Sequence, residues 1–164
     1  MMKDYDSPEE REKRASQEDP IVMYLIVHET LDMSVGKTAA QAAHASQMLT
    51  LKYFEIKAES SKIQKSAHLF PEDQREQQMK TYTGHAPFIS IMGEWLKGSF
   101  RKVVLRADDK EWNKLKEEFK DQNMVLVVDA GLTEIPGGSE TVIGLWPMRK
   151  SQVPKSVKRL QVLK

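Results

Sequence analysis

The sequence predicts an α/β fold, with a small mixed sheet of about four strands in a three-layer α/β/α arrangement and an added helical insertion. Apolar runs with the length of buried strands occur at 21–27, 100–107, 124–128 and from 141 onwards. Helical patterns separate the first three runs, so these strands should be mostly parallel, whereas the short link before the fourth favours an antiparallel partner. We expect a single domain over 21–164, after a charged, flexible N-terminal extension at 1–20.

The elements of the first half are a strand and several helices. The strand at 21–27 is apolar on both faces and should therefore lie centrally in the sheet. A helix is expected from about 36 to 57, and five alanines in its first half would let it lie close to the sheet. The insertion at about 58–98 should contain two helices, because Gly84 interrupts the pattern and Pro87 can start a new helix.

The second half returns to the sheet. Residues 108–121 form an amphipathic helical pattern that places Trp112, Leu115 and Phe119 inward. Asn123 follows as a left-handed helix stop. A short last strand is expected at 160–163, and helices should cover both faces of the sheet.

Composition limits the functional classes. The net charge of the 164 residues is +1, which gives no whole-chain argument for nucleic acid. The absence of cysteine excludes disulfides, thiolate catalysis and cysteine-bound metals. No apolar run approaches the roughly 20 residues of a membrane span, and the N-terminus lacks a signal-peptide core. We therefore expect a cytoplasmic protein without membrane contact.

Charge is concentrated at the C-terminal end. Residues 148–164 contain no acid and six basic residues, which are Arg149, Lys150, Lys155, Lys158, Arg159 and Lys164. Such a block is either a solvated tail or a surface that binds a phosphate backbone.

Asp129 follows the third predicted strand and begins a segment rich in glycine and hydroxyl side chains that extends to Pro147. Open α/β sheets bind ligands at the ends of their strands, so this segment is a candidate site. The alternative is that Asp129 caps a turn with its own side chain, as Asp before glycine often does.

A second candidate site is the start of the long helix. Ser34 is a suitable N-cap, and Gly36 and Lys37 would add backbone access and charge to the free N–H groups of the first turn. Lys37, Gln41, His44 and Met48 recur at helical spacing and should share one face. The alternative is an exposed lysine and a histidine whose hydrogen bonds are satisfied within the fold.

The Gly36-Lys37-Thr38 triplet also suggests a nucleotide-binding P-loop. That loop needs a glycine five positions before Gly36, and the residue there is Leu31. Nucleotide hydrolysis is therefore disfavoured.

Two blocks of sequence together resemble the type-2 peptidyl-tRNA hydrolases, the archaeal and eukaryotic kind. The blocks are Met33-Ser34-x-Gly36-Lys37-x-Ala39-Ala40-Gln41-x-x-His44-Ala45, and Asp129-Ala130-Gly131-Leu132-Thr133-Glu134-Ile135 followed by Gly138-Ser139-x-Thr141-Val142-x-Gly144. The resemblance covers roughly 21–57 and 100–147. It implies hydrolysis of the ester between a peptide and the 3′ end of tRNA, without metal or cofactor.

The resemblance also implies roles for individual residues. The family's catalytic positions match Lys37, Asp129, Thr133 and Thr141. Ester hydrolysis needs an activated water, a stabilised oxyanion and a proton for the leaving hydroxyl, and we expect direct attack by water because neither threonine has an obvious activating partner. The expected contacts to tRNA are Ser34, Gly36, Gln41, His44, Arg101, Lys102, Arg106, Arg149 and Lys150.

The chain departs from the family pattern in five places. His28-Glu29-Thr30 replaces a basic residue followed by an acid, Gly137 replaces a proline, and Trp146 replaces a glycine. Trp146 would stack on the terminal adenosine, form a wall that alters access, or pack inside the fold. The insertion is the largest departure, and it could cap the site, replace the family's dimer contact or bind another partner. The short C-terminus also loses part of the usual final strand. These changes leave open the alternative of a non-catalytic module that binds tRNA or the ribosome.

Overall fold

The computed structural model describes residues 19–98, 100–120 and 124–164. The extension at 1–18 and the helix stop at Asn123 lie outside the described residues. The elements are β1 (Ile21–His28), α1 (Val35–Ser66), α2 (Glu72–Lys97), β2 (Lys102–Ala107), α3 (Asp109–Phe119), β3 (Met124–Val128), β4 (Glu140–Arg149), α4 (Lys155–Lys158) and β5 (Gln161–Val162).

The strands form one mixed sheet in the order β3-β4-β1-β2-β5. Strand β1 is parallel to β2 and antiparallel to β4, which in turn is antiparallel to β3. The first three strands therefore run in the same direction and β1 is central, which confirms both predictions. The sheet has five strands rather than about four, because the short β5 pairs with Leu105 and Arg106 of β2.

This topology gives the sheet two distinct edges. The carboxyl edge contains the ends of β1, β2 and β3 and the start of β4, at His28, Ala107, Val128 and Glu140. The opposite, amino edge contains Ile21 and its partner Arg149, together with the start of β2. The amino edge is roughly 23 Å from the carboxyl edge, given the rise of an eight-residue strand.

Helices cover both faces of the sheet. Alternate side chains of β1 enter two separate cores, with Val22, Tyr24 and Ile26 toward α3 and Met23, Leu25 and Val27 toward α1 and α2. On the α3 face, the three inward residues predicted for that helix are buried, which confirms the prediction. The three-layer α/β/α arrangement is therefore confirmed.

Helix α1 lies close to the sheet because of Gly144. A Cβ at that position would lie 2.9 Å from the Val125 side chain and 3.1 Å from that of Leu49. Of the five alanines expected to face the sheet, only Ala45 is fully buried, while Ala39, Ala40 and Ala43 are exposed. The close approach therefore depends on glycine in the strand more than on alanine in the helix.

The insertion is helical as predicted, but its division into helices was wrong. Helix α1 continues to Ser66, and α2 passes uninterrupted through Gly84 and Pro87. Both residues lie on the exposed side of α2, where proline can be accommodated because the carbonyl it leaves without a partner can bind water. Packing of the buried Met92 and Trp95 against the sheet holds the helix together across this point.

Trp146 packs inside the fold. Its ring is buried, meets Phe88 of α2 edge-to-face with centroids 6.2 Å apart, and donates from Nε1 to the Phe88 carbonyl at 3.1 Å. This observation favours the packing alternative, and the ring is not available to stack on a nucleotide.

Candidate active site

Asp129 begins a closed loop between β3 and β4. Its N–H donates to the Ser139 carbonyl at 2.9 Å, and its own carbonyl accepts from the Gly138 N–H at 2.8 Å. Gly131 and Gly138 make the bends with φ of 77° and 86°, a region that glycine adopts without strain. Oδ1 of Asp129 accepts from the Gly131 N–H at 2.7 Å, so the turn-capping alternative is correct for this one oxygen.

The second carboxylate oxygen of Asp129 faces α1. It accepts from Lys37 Nζ at 2.5 Å and from Gln41 Nε2 at 2.7 Å. Lys37 Nζ also donates to Thr133 Oγ1 at 2.9 Å, and Gln41 Oε1 accepts from Thr141 Oγ1 at 2.8 Å. We call these five residues the Lys37 network. The structure thus brings together all four residues predicted as catalytic, with Gln41 as the bridge between them.

The periodicity of α1 explains why the network forms. Lys37 and Gln41 are four residues apart and continue the stripe of Ala45 and Leu49 that faces the sheet. The apolar stripe is therefore replaced by polar side chains just where the helix passes the end of β3. His44, predicted to share the face, is exposed and takes no part in the network.

The charged pair of the Lys37 network is largely buried, whereas Thr133 is exposed. The side chains of Lys37 and Asp129 are 12% and 6% exposed. The hydrogen bond from the Lys37 ammonium, followed by that from the Gly131 N–H, holds the pKa of Asp129 below its ordinary value despite burial. Asp129 is therefore a carboxylate at neutral pH, paired with a cation in a position shielded from water.

The N-terminal end of α1 already binds a carboxylate from the protein, that of Glu134. Ser34 caps the helix as predicted, since its Oγ accepts from the Lys37 N–H at 3.2 Å. The Ser34 N–H and Oγ donate to the two carboxylate oxygens of Glu134, at 3.0 and 2.5 Å, and these bonds lower the pKa of Glu134. Glu134 was missed as a partner, because no local spacing rule connects two residues 100 positions apart.

The comparisons with known proteins agree with this geometry. A family model described as "Peptidyl-tRNA hydrolase PTH2" matches residues 21–163, which include every element of the fold. The chain belongs to this family. Similar proteins named peptidyl-tRNA hydrolase come from Methanopyrus kandleri (31% identical over 143 residues; 85% of this chain, 96% of the relative), Methanococcus vannielii (28% over 144; 85% and 96%) and Pyrobaculum aerophilum (28% over 147; 88% and 98%).

Most basic residues predicted to contact tRNA in this PTH2 chain do not lie near the network. Arg101, Lys102, Arg149 and Lys150 lie at the amino edge of the sheet. Lys102 Nζ lies over the Trp95 ring, 4.7 Å from its centroid, and burial lowers the pKa of Lys102. Only Arg106 is near the carboxyl edge, and it forms an ion pair with Glu29 at 2.6 Å.

A second polar cluster lies at the carboxyl edge, on the α3 face, and sequence reasoning did not predict it. His28 Nε2 is 2.8 Å from Asp109 Oδ1, and His28 Nδ1 is 3.1 Å from the Glu140 carbonyl oxygen. The imidazole stacks on the Trp112 ring with centroids 4.3 Å apart. Trp112 Nε1 and Lys116 Nζ both donate to the Glu140 carboxylate, at 3.2 and 2.5 Å. We call these five residues the His28 cluster.

The described part of the chain shows no metal centre built from its side chains. Within 19–98, 100–120 and 124–164, no three His, Asp or Glu side chains converge in a way that could hold a metal ion.

Residues Glu29–Leu31 form a 3-10 turn rather than a loop wrapped around a phosphate. None of the helices in these ranges is long and apolar enough to cross a membrane.

Proposed function

We propose that this chain hydrolyses peptidyl-tRNA, the reaction for which its family is named, and that the Lys37 network carries out the chemistry. The observation that supports this most directly is the position of Lys37 Nζ, held between Asp129 Oδ2 and Thr133 Oγ1 at the carboxyl edge. A fixed and largely buried cation beside hydroxyl groups can stabilise the oxyanion that forms when an ester is attacked.

Lys37 is the proposed electrostatic catalyst. An ammonium group has three N–H bonds, and two of them are directed to Asp129 and Thr133. The third can donate to the carbonyl oxygen of the ester as negative charge develops there. Because the pKa of Asp129 is lowered, its role is to fix Lys37 and Gln41 in position rather than to take a proton from water.

The threonines support attack by water rather than by the protein. Thr141 Oγ1 lies within hydrogen-bonding distance of Gln41 Oε1 and of the Val127 carbonyl, so its proton is directed to protein oxygens and it has no base to activate it. Thr133 accepts from Lys37, which leaves its own proton to donate to the substrate. The attacking water bonds to the ester carbon, the bond from that carbon to the ribose oxygen breaks, and the proton that the water loses goes to this leaving oxygen. A covalent peptidyl-enzyme trapped by rapid quench would overturn direct attack by water.

The test is release of free tRNA from an N-blocked aminoacyl-tRNA, with and without EDTA. We expect turnover by the wild type in both conditions and its loss in Lys37→Ala and Asp129→Asn. Lys114→Ala is the matched control, since Lys114 is exposed on α3 and remote from the network. Wild-type protein that binds tRNA without turnover would instead establish the non-catalytic binding module.

We propose that the basic residues at the amino edge contact the tRNA body while its 3′ end occupies the carboxyl edge. Because the two edges are roughly 23 Å apart, Lys150 cannot contact the part of the substrate that carries the reacting ester. Contacts to phosphate give affinity that falls steeply with salt, so Lys150→Ala should reduce the slope of log K against log salt by about 1. An unchanged slope would remove Lys150 from the interface.

The proposal extends to a homodimer and to a cytoplasmic location. On α1, Leu51 and Phe54 are 56% and 55% exposed and offer an apolar surface to a second copy. Light scattering coupled to size-exclusion chromatography should give twice the chain mass for the wild type and one chain mass for Leu51→Glu. A wild type that elutes as one chain would exclude the homodimer.

A further inference from the structure

We propose that His28 is a positioning residue for this reaction: as an imidazolium it holds the Glu140 carbonyl and so fixes the start of β4, which carries Thr141. The inference rests on the proposed function, because Thr141 matters through the Lys37 network. Glu140 and Thr141 are consecutive at the start of β4, and their side chains reach opposite faces: Glu140 contacts Trp112 and Lys116 of α3, whereas Thr141 contacts Gln41 of α1. The His28 cluster and the Lys37 network therefore meet at one peptide unit.

We infer the protonation of the ring from its two contacts. Nδ1 faces a carbonyl oxygen of Glu140, and Nε2 faces a carboxylate oxygen of Asp109. Both partners are acceptors, and only the imidazolium form has the two N–H groups that donate to both. A neutral ring would direct a lone pair at one of the two oxygens. Stacking on Trp112 keeps the ring in the plane that serves both contacts.

Charged groups from neighbouring elements lie around the cluster. Asp109 of α3 contacts the ring directly, Glu140 of β4 contacts it through its carbonyl and pairs with Lys116 of α3, and Glu29, next to His28 in the sequence, pairs with Arg106 of β2. Asp108 is directed elsewhere, since its side chain accepts from the Glu111 N–H.

Loss of the ring proton should release Glu140 rather than Asp109. A hydrogen bond to a carboxylate is stronger than one to a neutral carbonyl, so the remaining proton stays on Nε2. The Glu140 carbonyl then loses its donor, and the start of β4 loses its attachment to the ring. Thr141, and through it Gln41, would be held less firmly once the ring has lost that proton.

The decisive variant is Asp109→Asn. The Asn amide can donate to Nε2, so a neutral ring keeps Nδ1–H on the Glu140 carbonyl and both contacts survive without a charge. The Asp109 side chain is 68% exposed, so the fold should tolerate this nearly isosteric change. The ring ¹⁵N shifts would be followed from about pH 5.5 to about pH 8.5, across the range of histidine, with kcat and KM measured on the same samples.

We expect opposite tautomers in the two proteins when the ring is neutral. Wild-type His28 should be the Nε2–H form and the Asp109→Asn ring the Nδ1–H form, with the signal assigned among the four histidines from a His28→Gln spectrum. The ratio of wild-type kcat to variant kcat should fall about two- to tenfold as pH rises, the range expected for one hydrogen bond. KM should change equally little in both.

Several results would overturn the inference. An Nδ1–H tautomer in the wild type would refute the retained bond to Asp109. A kcat ratio independent of pH, or an effect confined to KM, would show that His28 does not position the reacting residues. A wild type with no hydrolase activity would refute the proposed function and, with it, a role in that reaction, while the ring spectra would still decide whether His28 holds Glu140.

Discussion

Two charged clusters reach the carboxyl edge of the sheet from opposite faces, and they differ in burial. Lys37 and Asp129, on the α1 face, have side chains 12% and 6% exposed, whereas those of Lys116 and Glu140, on the α3 face, are each 33% exposed. Buried charges interact strongly and are costly to leave unpaired, whereas water weakens the attraction within a partly exposed ion pair. The α1 face is therefore suited to catalysis, and the α3 face is suited to holding the catalytic residues in position.

Removal of the two lysines should give the largest contrast between the faces. Lys37→Met should lower kcat by a factor on the order of 10² to 10³, the usual effect of losing one oxyanion stabiliser. Lys116→Met should lower kcat by less than about fivefold, since a partly exposed ion pair contributes at most about 1 kcal/mol. Single-turnover release of tRNA measures both. Equal losses would contradict the division of roles between the faces.

Packing of α1 on the sheet gives the second contrast. Gly144→Ala places a Cβ 2.9 Å from Val125 of β3 and 3.1 Å from Leu49 of α1, so the packing between β3, β4 and α1 must adjust, at a cost of about 1–3 kcal/mol in the free energy of unfolding. Activity should fall as well, because α1 carries Lys37 and Gln41.

Gly84→Ala is the matched control for that change. No atom lies within 4 Å of a Cβ at this helical position, so the free energy of unfolding should rise by about 0.5–1 kcal/mol with activity unchanged. Urea unfolding and initial rates would measure the pair. A Gly144→Ala variant as stable and active as Gly84→Ala would show that the close approach of α1 is unimportant.

The sequence was sufficient to predict which residues form the site, but not all of their hydrogen-bond partners. Asp129 and Lys37 could be predicted because each lies at an element boundary, where strand ends and helix starts collect ligands. The bridge from Gln41 to Thr141 could not be predicted, because it depends on β4 lying between β1 and β3, and an apolar run does not name its neighbour in a sheet. Glu134 was missed for the same reason.

The helical insertion shows where local signals lose to tertiary packing. Gly84 and Pro87 are ordinary helix breakers, yet α2 passes through both. Their side of the helix is exposed, and the buried Met92 and Trp95 keep the helix on the sheet. The helix propensity of glycine and proline describes what the isolated segment prefers. In the folded protein, packing on one face of the helix outweighs that preference.

A third effect is expected where the two faces meet, at Thr141. Thr141→Val removes the donor to Gln41 Oε1, which stays buried without its partner, at a cost of about 1–3 kcal/mol in the free energy of unfolding. Thr141→Ser keeps the hydroxyl and should lose less stability and retain most of the activity. Thermal unfolding and initial rates compare the two variants. A loss of stability in Thr141→Ser that exceeds the loss in Thr141→Val would show that the methyl group matters more than the hydrogen bond at this position.

The smallest effect on the free energy of unfolding should come from Glu140→Gln, and the size of this effect depends on pH. The bond from Lys116 holds the pKa of Glu140 below its ordinary value, so the stability that this carboxylate contributes is present above the unfolded pKa and is lost as pH falls through the folded one. At neutral pH the variant should lose at most about 1 kcal/mol, as is usual for a partly exposed pair, and the two proteins should approach equal stability as pH falls through the folded pKa of Glu140. Urea unfolding at several pH values from neutral to acid measures the difference. A difference that grows toward acid would mean that the protonated Glu140 side chain is the form that the fold prefers, and the α3 face would then support the site through a neutral contact.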